Sequence, residues 1–378
     1  MNYTTAGEAG GQALIALVDA VPAGLRLETV QVESDVKRCV AGLGFSESVS
    51  AYQYVDISSG IFDGRTTGAP VTFLVYGDEP VGEGVLDQGM FPCPGRGDLP
   101  AMLYTAADDV ASVVPRLAAF DQIATVAAAS VPREFLAELG VDVRSYVAQI
   151  GSVALNEPDL AAAALTYQPL DVELSAVRCP VPRTSDQMVA ALEAAQRGGE
   201  TLGGVFRLVV TGLVPGLGAV GQRSGRLTAA LAAALFSLPD VVGVEFGGGF
   251  SAAGKSAAAS HDGITVVSGQ GFMRSGNVAG GLDGAMTTGQ PLIISVAVAA
   301  PSEGSAALTT VNLDTLQSCS NVASSCATCR VPGIAVAAEA EIAFALATAY
   351  TSQFGGSNMT DIRGAVDSYR QRLRRAAR

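Results

Sequence analysis

The cysteines near the C-terminal end have the spacing of a reactive or metal-binding pair. Cys326 and Cys329 form a C-x-x-C, with Cys319 seven residues upstream of the first. This spacing is typical of zinc ligands and of redox dithiols, but the sequence has one histidine, His261, and no second C-x-x-C to complete a set of four ligands. We expect no metal site and two ordinary thiols; a thiol at Cys326 that acts as an acid or nucleophile is the alternative, if its pKa is lowered.

Few other side chains have a type and position that suggest catalysis or ligand binding. His261 precedes Asp262 in a Ser-His-Asp-Gly loop, where it is either a ligand contact or a solvent-exposed histidine. Arg223 and Arg226 stand before an apolar helical run, and helix N-termini attract anions, although a surface pair of arginines is the more ordinary interpretation. A single histidine excludes every mechanism that needs two imidazoles.

The charge balance is strongly acidic. The 23 Lys and Arg residues stand against 36 Asp and Glu, which gives a formal net charge of -13. This balance excludes a general electrostatic attraction to nucleic acid or acidic membranes, so an anionic substrate would need a local basic pocket. Six arginines lie within the last 16 residues, and we expect a basic helix or tail at about 363–378 with a solvated face.

Composition favours a globular cytoplasmic protein. Apolar residues make up 49% of 378, which is enough for a large core. We find no apolar run of the roughly 18 residues that span a membrane, and no basic and apolar regions of a secretory signal at the start. Six cysteines are too few for a disulfide scaffold in a chain of this length, so we expect thiols in the cytoplasm.

The elements that must position these residues are of mixed type. Strand-like runs such as VTFLVY (71–76) alternate with Ala-rich helical runs such as RLTAALAAALFSL (226–238). No linker and no tandem repeat divides the chain, so we expect one domain over 1–378. Glycines cluster at 7–11, 247–250 and 276–289. We expect these three loops to converge around one cleft.

Several segments, taken in their order, resemble the chorismate synthase family. The resemblance covers nearly the whole chain and implies an α+β fold, a β-α-β sandwich in a single large domain that assembles as a homotetramer. It also implies binding of reduced FMN and elimination of phosphate from 5-enolpyruvylshikimate 3-phosphate, the carbon-oxygen lyase reaction that forms chorismate in the shikimate pathway of aromatic amino acid biosynthesis. The segments are AGEAGGQALIALVDAVPAGL (6–25), SGIFDGRTTGAPV (59–71), VRCPVP (177–182), VVTGLVPGLG (209–218), GVEFGGGF (243–250), AGGLDGAMTTGQPL (279–292) and CRVPGIAVAAEAEIAFALA (329–347).

The resemblance locates the family's two acid-base histidines, and both are replaced. The histidine of the family's Gly-Glu-Ser-His-Gly loop falls on Gly10. The histidine of its Arg-His-Asp-Pro-Cys segment falls on Cys326 when Cys329 is aligned with the family cysteine. Proton transfer therefore loses both expected agents, and His261 and Arg96 are the candidates for substitutes.

Many of the residues that make the family's flavin and phosphate contacts are also replaced in this sequence. The family's Arg-Gly-Gly-Gly-Arg-Ser-Ser-Ala-Arg stretch aligns with 112–120, where Arg116 alone remains and Val, Pro and Leu predict a tight apolar segment. Its Arg-rich turn becomes Lys37-Arg38-Cys39, its Pro-Gly-His-Ala-Asp becomes 94–98, and its Lys-Pro-Thr falls on 299–301. The glycines also have a purely structural interpretation as turn residues. The resemblance assigns cofactor binding to Arg116, Asn277, Gly280, Gly281, Gly284, Thr287 and Thr288.

Three functions compete on this pattern. The first is a divergent chorismate synthase, which the lost histidines and arginines oppose. The second is an altered lyase that takes a less charged substrate, with or without flavin. The third is a non-catalytic homologue that assembles with itself or with an active relative as an assembly or regulatory subunit. We expect lost or altered activity, weak FMN binding, a small anionic substrate if the chain is active, and no nucleic-acid or membrane partner.

Overall fold

Short strands alternate with helices along the chain. A computed structural model describes residues 1–8, 11–43, 54–76, 90–117, 121–166, 169–267, 271–302, 308–320 and 327–376. The strands are β1 (Asn2–Ala6), β2 (Leu14–Asp19), β3 (Tyr54–Ser59), β4 (Ile61–Phe62), β5 (Arg65–Thr66), β6 (Val71–Tyr76), β7 (Asp142–Ile150), β8 (Val153–Ala154), β9 (Gly204–Thr211), β10 (Val241–Phe246), β11 (Ile264–Val267), β12 (Gly271–Arg274), β13 (Leu282–Asp283), β14 (Met286–Thr287), β15 (Leu292–Val298), β16 (Thr309–Asn312) and β17 (Gln317–Ser320). The helices are α1 (Thr29–Leu43), α2 (Asp98–Thr105), α3 (Val114–Leu117), α4 (Asp121–Ala128), α5 (Ser130–Glu138), α6 (Glu157–Thr166), α7 (Pro169–Leu174), α8 (Pro182–Gly198), α9 (Leu227–Phe236), α10 (Gly249–Ala253), α11 (Ala257–Ser260), α12 (Val331–Phe354) and α13 (Met359–Ala376).

Two antiparallel sheets form the outer layers of the fold. The first sheet has the strand order β1-β2-β6-β3, and the second has the order β10-β15-β9-β7-β8. Along β2, Leu14, Ala16 and Val18 are buried while Ile15 and Leu17 face outward, because successive side chains of a strand point to opposite faces. The first sheet therefore presents an apolar inner face to the middle of the molecule, and β15 alternates in the same way in the second sheet.

Helices fill the space between the two sheets. α4 packs on β1, β2 and β6, α12 packs on β7 and β9, and both helices contact α1 and each other. A Cβ atom on Gly42 of α1 would lie 2.5 Å from the backbone N of Gly333 in α12, so this close crossing requires glycine. One continuous core joins both sheets and the helices between them. The prediction of an α+β fold with a β-α-β sandwich is confirmed.

α12 is the one helix of the described chain that is long and apolar enough to span a membrane. Its apolar stretch is 89% buried inside the fold, and it carries Glu339 and Glu341. α12 is therefore the central core helix of the sandwich. Our expectation that no apolar run reaches membrane-spanning length is corrected by this helix, whose hydrophobicity serves burial on all sides.

The two sheets are built from the same unit. β2, α1, β3, the β4–β5 hairpin and β6 follow one another in the first half, and β9, α9, β10, the β13–β14 hairpin and β15 follow in the same order in the second, apart from insertions. The strands pair as β2-β6-β3 and as β9-β15-β10. Val18 pairs with Val71 in the first sheet, and Val210 pairs with Leu292 at the same position in the second. The chain contains an internal duplication.

Equivalent threonine contacts hold the two hairpins. The hydroxyl of Thr66 donates to the first carbonyl of the Pro22–Leu25 turn at 2.6 Å and accepts from its last amide at 2.9 Å. The hydroxyl of Thr287 donates to the first carbonyl of the Val214–Leu217 turn at 2.6 Å and accepts from its last amide at 2.8 Å. Both threonines begin a Thr-Thr-Gly-x-Pro segment, which is the trace of the duplication in the sequence.

Candidate functional site

The loops at 247–250 and 276–289 lie in direct contact and form one glycine block. A Cβ atom on Gly280 would lie 2.3 Å from the backbone N of Gly247, and both residues have positive φ angles, 61° and 56°. A side chain at either position would separate the two backbones, so glycine is required at this approach. Two of the three predicted glycine loops are therefore neighbours, next to β10 and β15.

The loop at 7–11 and the family's histidine positions are only partly described. Gly7 packs against Leu14, and the amide of Gly11 donates to the carbonyl of Glu8 at 3.0 Å. The convergence of this loop on the glycine block stays a prediction. Three sequence-based assignments, Gly10, Cys326 and the side chain of Arg116, lie outside the described residues.

The polar side chains of the glycine block hold the block together. Asn277 donates to the carbonyl of Pro291 at 2.8 Å and accepts from the amide of Gly281 at 2.7 Å. Thr287 is buried and closes the turn described above, while the hydroxyl of Thr288 accepts from an amide two residues on.

Gly281 and Gly284 complete the block. A Cβ atom on Gly281 would lie 2.5 Å from the carbonyl O of Pro291, so the packing leaves no space at this position. Gly284 has a φ of 58° in the tight β13–β14 turn. The described residues that the resemblance assigned to FMN binding act as a scaffold within the block, and their assignment to the flavin stays a prediction.

Asp262 rather than His261 contacts the glycine block. The two carboxylate oxygens of Asp262 accept from the amides of Val278 and Ala279 at 3.0 and 3.1 Å. His261 caps the short helix α11 through its backbone amide, and its side chain is exposed. Our sequence analysis selected the histidine and missed the carboxylate beside it. A short acidic side chain before a glycine is a known sign of such a backbone contact.

Arg96, the other candidate substitute, is held by a buried carboxylate. Its Nε and Nη2 donate to the two oxygens of Asp98 at 2.7 and 2.6 Å, and Asp98 also accepts from the amide of Cys93 at 2.7 Å. Asp98 is 0% exposed. A guanidinium in a bidentate pair with a buried carboxylate is already neutralised, so Arg96 organises its own turn.

A group of six charged side chains, which we call the ionic cluster, joins the helices to the second sheet. Its members are Asp35, Arg38, Arg133, Glu173, Arg178 and Glu339. Arg38 donates through Nε and Nη2 to both oxygens of Glu173 at 3.0 and 2.8 Å, and through Nη1 to Asp35 at 2.9 Å. Three guanidinium groups and three carboxylates balance, so the cluster has no formal net charge.

Glu339 of α12 is the centre of the ionic cluster. It is 1% exposed and accepts from the Ser145 hydroxyl at 2.6 Å and from Arg178 at 3.2 Å. Burial by itself raises the pKa of Glu339, but three neighbouring guanidinium groups and the Ser145 hydroxyl lower it to about 2. Glu339 therefore stays ionised and ties α12 to α1, α5 and β7.

Of the two cations that the sequence has at the family's Arg-rich turn, Lys37 and Arg38, the ionic cluster holds Arg38. Arg38 lies within α1, and all three of its guanidinium nitrogens donate to carboxylates of the cluster. The positive charge of the Arg38 guanidinium is balanced by the carboxylates that it contacts. Sequence analysis missed the cluster, although two glutamates in an otherwise apolar helix are a sign of buried pairing.

Two cavities flank the ionic cluster. The smaller, of about 150 Å³, lies between α1 and α5, where Asp35 and Glu134 are among the lining residues. Burial raises the pKa of Glu134. The larger is an open groove of about 690 Å³ between α1 and the segment after α7, with Lys37 at its rim and Glu173 in its wall. Arg133 also lines the smaller cavity, and Arg38 and Arg178 also line the groove, so acidic and basic side chains face both spaces.

The described cysteine of the C-x-x-C pair is not a reactive thiol. Cys329 is buried, and burial raises its pKa to about 11, so it carries a proton at neutral pH. In the part of the chain that the structure describes, no group of three or more His, Cys, Asp or Glu side chains is placed to hold a metal ion. With Cys326 outside that part, the role of the pair stays a prediction.

A β-α-β sandwich made of two duplicated units, with a glycine block at the end of the second sheet, defines the class of protein. The sequence profile of the chorismate synthase family matches residues 1–351. The chorismate synthase of Rubrobacter xylanophilus is 36% identical, and the alignment covers 100% of this chain and 98% of that protein. The chorismate synthase of Symbiobacterium thermophilum is 35% identical over 100% of both chains.

The structural comparison agrees with the sequence comparison. A crystal structure of chorismate synthase matches with a TM-score of 0.81 at 25% identity, covering 99% of this chain and 98% of that chain. The chain belongs to the chorismate synthase family.

Proposed function

We propose that this chain keeps the chorismate synthase fold but has lost or altered the chorismate-forming activity. The observation that carries this proposal is the state of its arginines: Arg38 and Arg96, both at positions where the family places substrate or flavin contacts, are paired with carboxylates of their own chain. A substrate with a phosphate and carboxylates needs uncompensated cations. Each charged hydrogen bond that is lost costs about 1.5–3 kcal/mol.

The loss of both family histidines supports the same conclusion. Gly10 has no side chain to move a proton, and His261, the one histidine of the sequence, is exposed beside the glycine block. General acid-base catalysis contributes roughly two to four decades in rate for each group. Weak substrate binding and slow proton transfer would combine to leave little chorismate formation.

We further propose a cytoplasmic, non-catalytic role in assembly, with the chain forming a homo-oligomer or joining an active relative. The intact core supports this role, because the sheets, the ionic cluster and the glycine block preserve the fold while the chemistry is lost. An altered lyase on a less charged substrate is the alternative, and the open groove beside α1 is where such a substrate would fit.

The test is a direct assay. Purified protein, reduced FMN and 5-enolpyruvylshikimate 3-phosphate are incubated without oxygen, and chorismate is measured by absorbance and mass, with the Rubrobacter xylanophilus chorismate synthase as the active control. We expect a rate at least about a thousandfold below the control. A rate within about tenfold of the control, abolished by Arg116→Ala or His261→Ala, would overturn the proposal and identify the replacement chemistry.

A further inference from the structure

We propose that the open groove beside α1 binds a small monocarboxylate with an apolar body, and that Lys37 is the cation that contacts its carboxylate. The groove has a volume of about 690 Å³ and lies between α1 and residues 173–176. Clefts of this size hold drug-sized ligands in many proteins. The inference goes beyond the proposed function, because binding in the groove does not require the chain to form chorismate or to be a lyase.

The groove lies on the side of α1 that faces away from the core. Ser34, Lys37 and Ala41 follow one another at intervals of three and four residues, so they share one side of the helix, and all three line the groove. Val32 and Cys39, on the opposite side, are buried in the core. A ligand in the groove is therefore separated from the interior of the sandwich by the helix itself.

Lys37 is the cation of the groove whose charge is free to bind a ligand. Arg38 and Arg178 also line the groove, but both donate to the two oxygens of Glu173, Arg38 at 3.0 and 2.8 Å and Arg178 at 2.7 and 2.9 Å. Lys37 is exposed and forms no ion pair with an Asp or Glu of the described ranges. One ammonium group in the wall therefore awaits one negative charge.

This charge count favours a monocarboxylate over a phosphate ester or a dicarboxylate. A ligand with two negative charges needs a second cation, and Arg38 and Arg178 supply one only if they leave Glu173. Glu33, the other carboxylate in the wall, accepts from the backbone amide of Val55 in β3 at 3.4 Å. Its charge is thus directed toward the first sheet, and an ammonium group on the ligand gains little from it.

Large apolar side chains border the groove on both walls. Val30 of α1 is 77% exposed, and Leu174 of α7 is 76% exposed. Leu170, one turn before Leu174 on α7, is exposed as well. Single exposed apolar residues are ordinary on a protein surface, but a set of them around one concave space is typical of a site for an apolar group. The ligand therefore joins an apolar body to its one carboxylate.

The first test uses the two lysines of the sequence, Lys37 and Lys255. Reductive methylation with ¹³C-formaldehyde labels both ammonium groups for NMR and keeps their charge. Titration with 3-phenylpropionate, the probe, should shift the Lys37 signal with a dissociation constant at or below about 1 mM. Lys255, exposed in the loop between α10 and α11, is the internal control, and its signal should not move. Lys37→Arg assigns the signals, because it removes one of them.

Calorimetry on the unlabelled full chain then separates the contribution of charge from that of apolar contact. Lys37→Gln should weaken binding of 3-phenylpropionate at least about fivefold, because the carboxylate loses its charged donor. Leu174→Ser should weaken it at least about threefold, because apolar surface is lost. Lys255→Gln is the matched control and should bind as the native protein does. Thermal unfolding of each variant checks that the fold is intact, as expected for changes at exposed side chains.

Matched ligands complete the test. The uncharged 3-phenylpropionamide and the cationic 3-phenylpropylamine should each bind at least about fivefold more weakly than the carboxylate. No saturable binding of 3-phenylpropionate up to about 10 mM, equal affinity for the amide, or an unchanged affinity in Lys37→Gln would each overturn the inference. Chorismate formation near the rate of the active control would overturn the proposed loss of activity and leave this inference standing.

Discussion

Thr66 and Thr287 make the same two hydrogen bonds in the two halves of the chain. Each hydroxyl donates at 2.6 Å to the first carbonyl of a four-residue turn and accepts from the last amide of that turn. The two turns differ in sequence, Pro-Ala-Gly-Leu in one half and Val-Pro-Gly-Leu in the other. The shared geometry makes the two threonines a matched pair for measurement.

We expect Thr66→Val and Thr287→Val each to lower the free energy of unfolding by about 1–3 kcal/mol, because a buried amide loses its acceptor while the side-chain volume is kept. Urea unfolding followed by circular dichroism measures both changes. Thr309→Val, at an exposed position of β16, should change stability by less than about 0.5 kcal/mol. A neutral result at either buried threonine would contradict its structural role.

Glu339 makes stability depend on pH. Its pKa is about 2 in the folded protein and about 4.3 for an unfolded chain, so its ionised form stabilises the fold above pH 4.3 and this contribution is lost as the pH falls toward 2. The pKa of Glu173 is also lowered, because hydrogen bonds and charge from Arg38 and Arg178 outweigh its burial. We therefore expect unfolding free energy to fall steeply in this acidic range.

Glu339→Gln tests this dependence. It should flatten the stability-pH profile below pH 4.3 and lower the unfolding free energy at pH 7 by about 3 kcal/mol or more, because three guanidinium groups lose their buried carboxylate. Glu193→Gln, on the exposed side of α8, is the control and should leave the profile as in the native protein. A native-like acid profile in Glu339→Gln would show that the ionic cluster does not control acid stability.

The glycine block allows a test in which backbone strain is held constant. Gly280 and Gly284 have nearly equal positive φ angles, 61° and 58°. A Cβ atom would meet the backbone of Gly247 at 2.3 Å in the first case, whereas in the second its nearest neighbour is the Met286 methyl at 4.0 Å. Gly284→Ala should cost about 1–2 kcal/mol of strain, and Gly280→Ala should cost at least about 2 kcal/mol more. Equal losses of stability in the two variants, measured by thermal unfolding, would show that the two loops of the block can move apart without a cost in free energy.

Flavin binding is expected to be weak. Val113 and Val114, in the segment that the resemblance aligns with a glycine-rich family stretch, are buried, and the side chains of Asn277 and Thr287 are bonded within the protein. Fluorescence titration with FMN should give a dissociation constant well above 1 μM, the value that corresponds to about −8 kcal/mol. Binding at or below 1 μM, or a flavin that copurifies with the protein, would show that another part of the chain forms the site.

The fold and family could be predicted because the sequence retains its turn residues. Glycines at positive φ and the repeated Thr-Thr-Gly-x-Pro segments are required by backbone geometry, whatever the adjacent pocket binds. These residues persist in order along the chain and identify the sandwich. The duplication itself escaped notice, because insertions and divergent helices separate its two short conserved segments.

The site could be predicted only in part, because its contacts are distant along the chain. Arg38 and Glu339 are 301 residues apart, and no periodicity in either helix indicates that they meet. The Arg96–Asp98 pair is local, yet the sequence does not show that Asp98 is buried or that Arg96 pairs with it. Sequence pattern reports residue types, whereas the availability of a charge depends on its neighbours in space.

The place of α12 in the middle layer also sets the order in which the molecule can be completed. A ribosome releases the strands of both sheets before it releases residues 331–354, so a nascent chain holds two half-covered sheets with apolar inner surfaces. Final closure requires a helix that follows every strand of the two sheets in the chain, and such long-range contacts form slowly and leave apolar surface exposed in intermediates. Chains cut short before α12 should therefore depend on chaperones or aggregate.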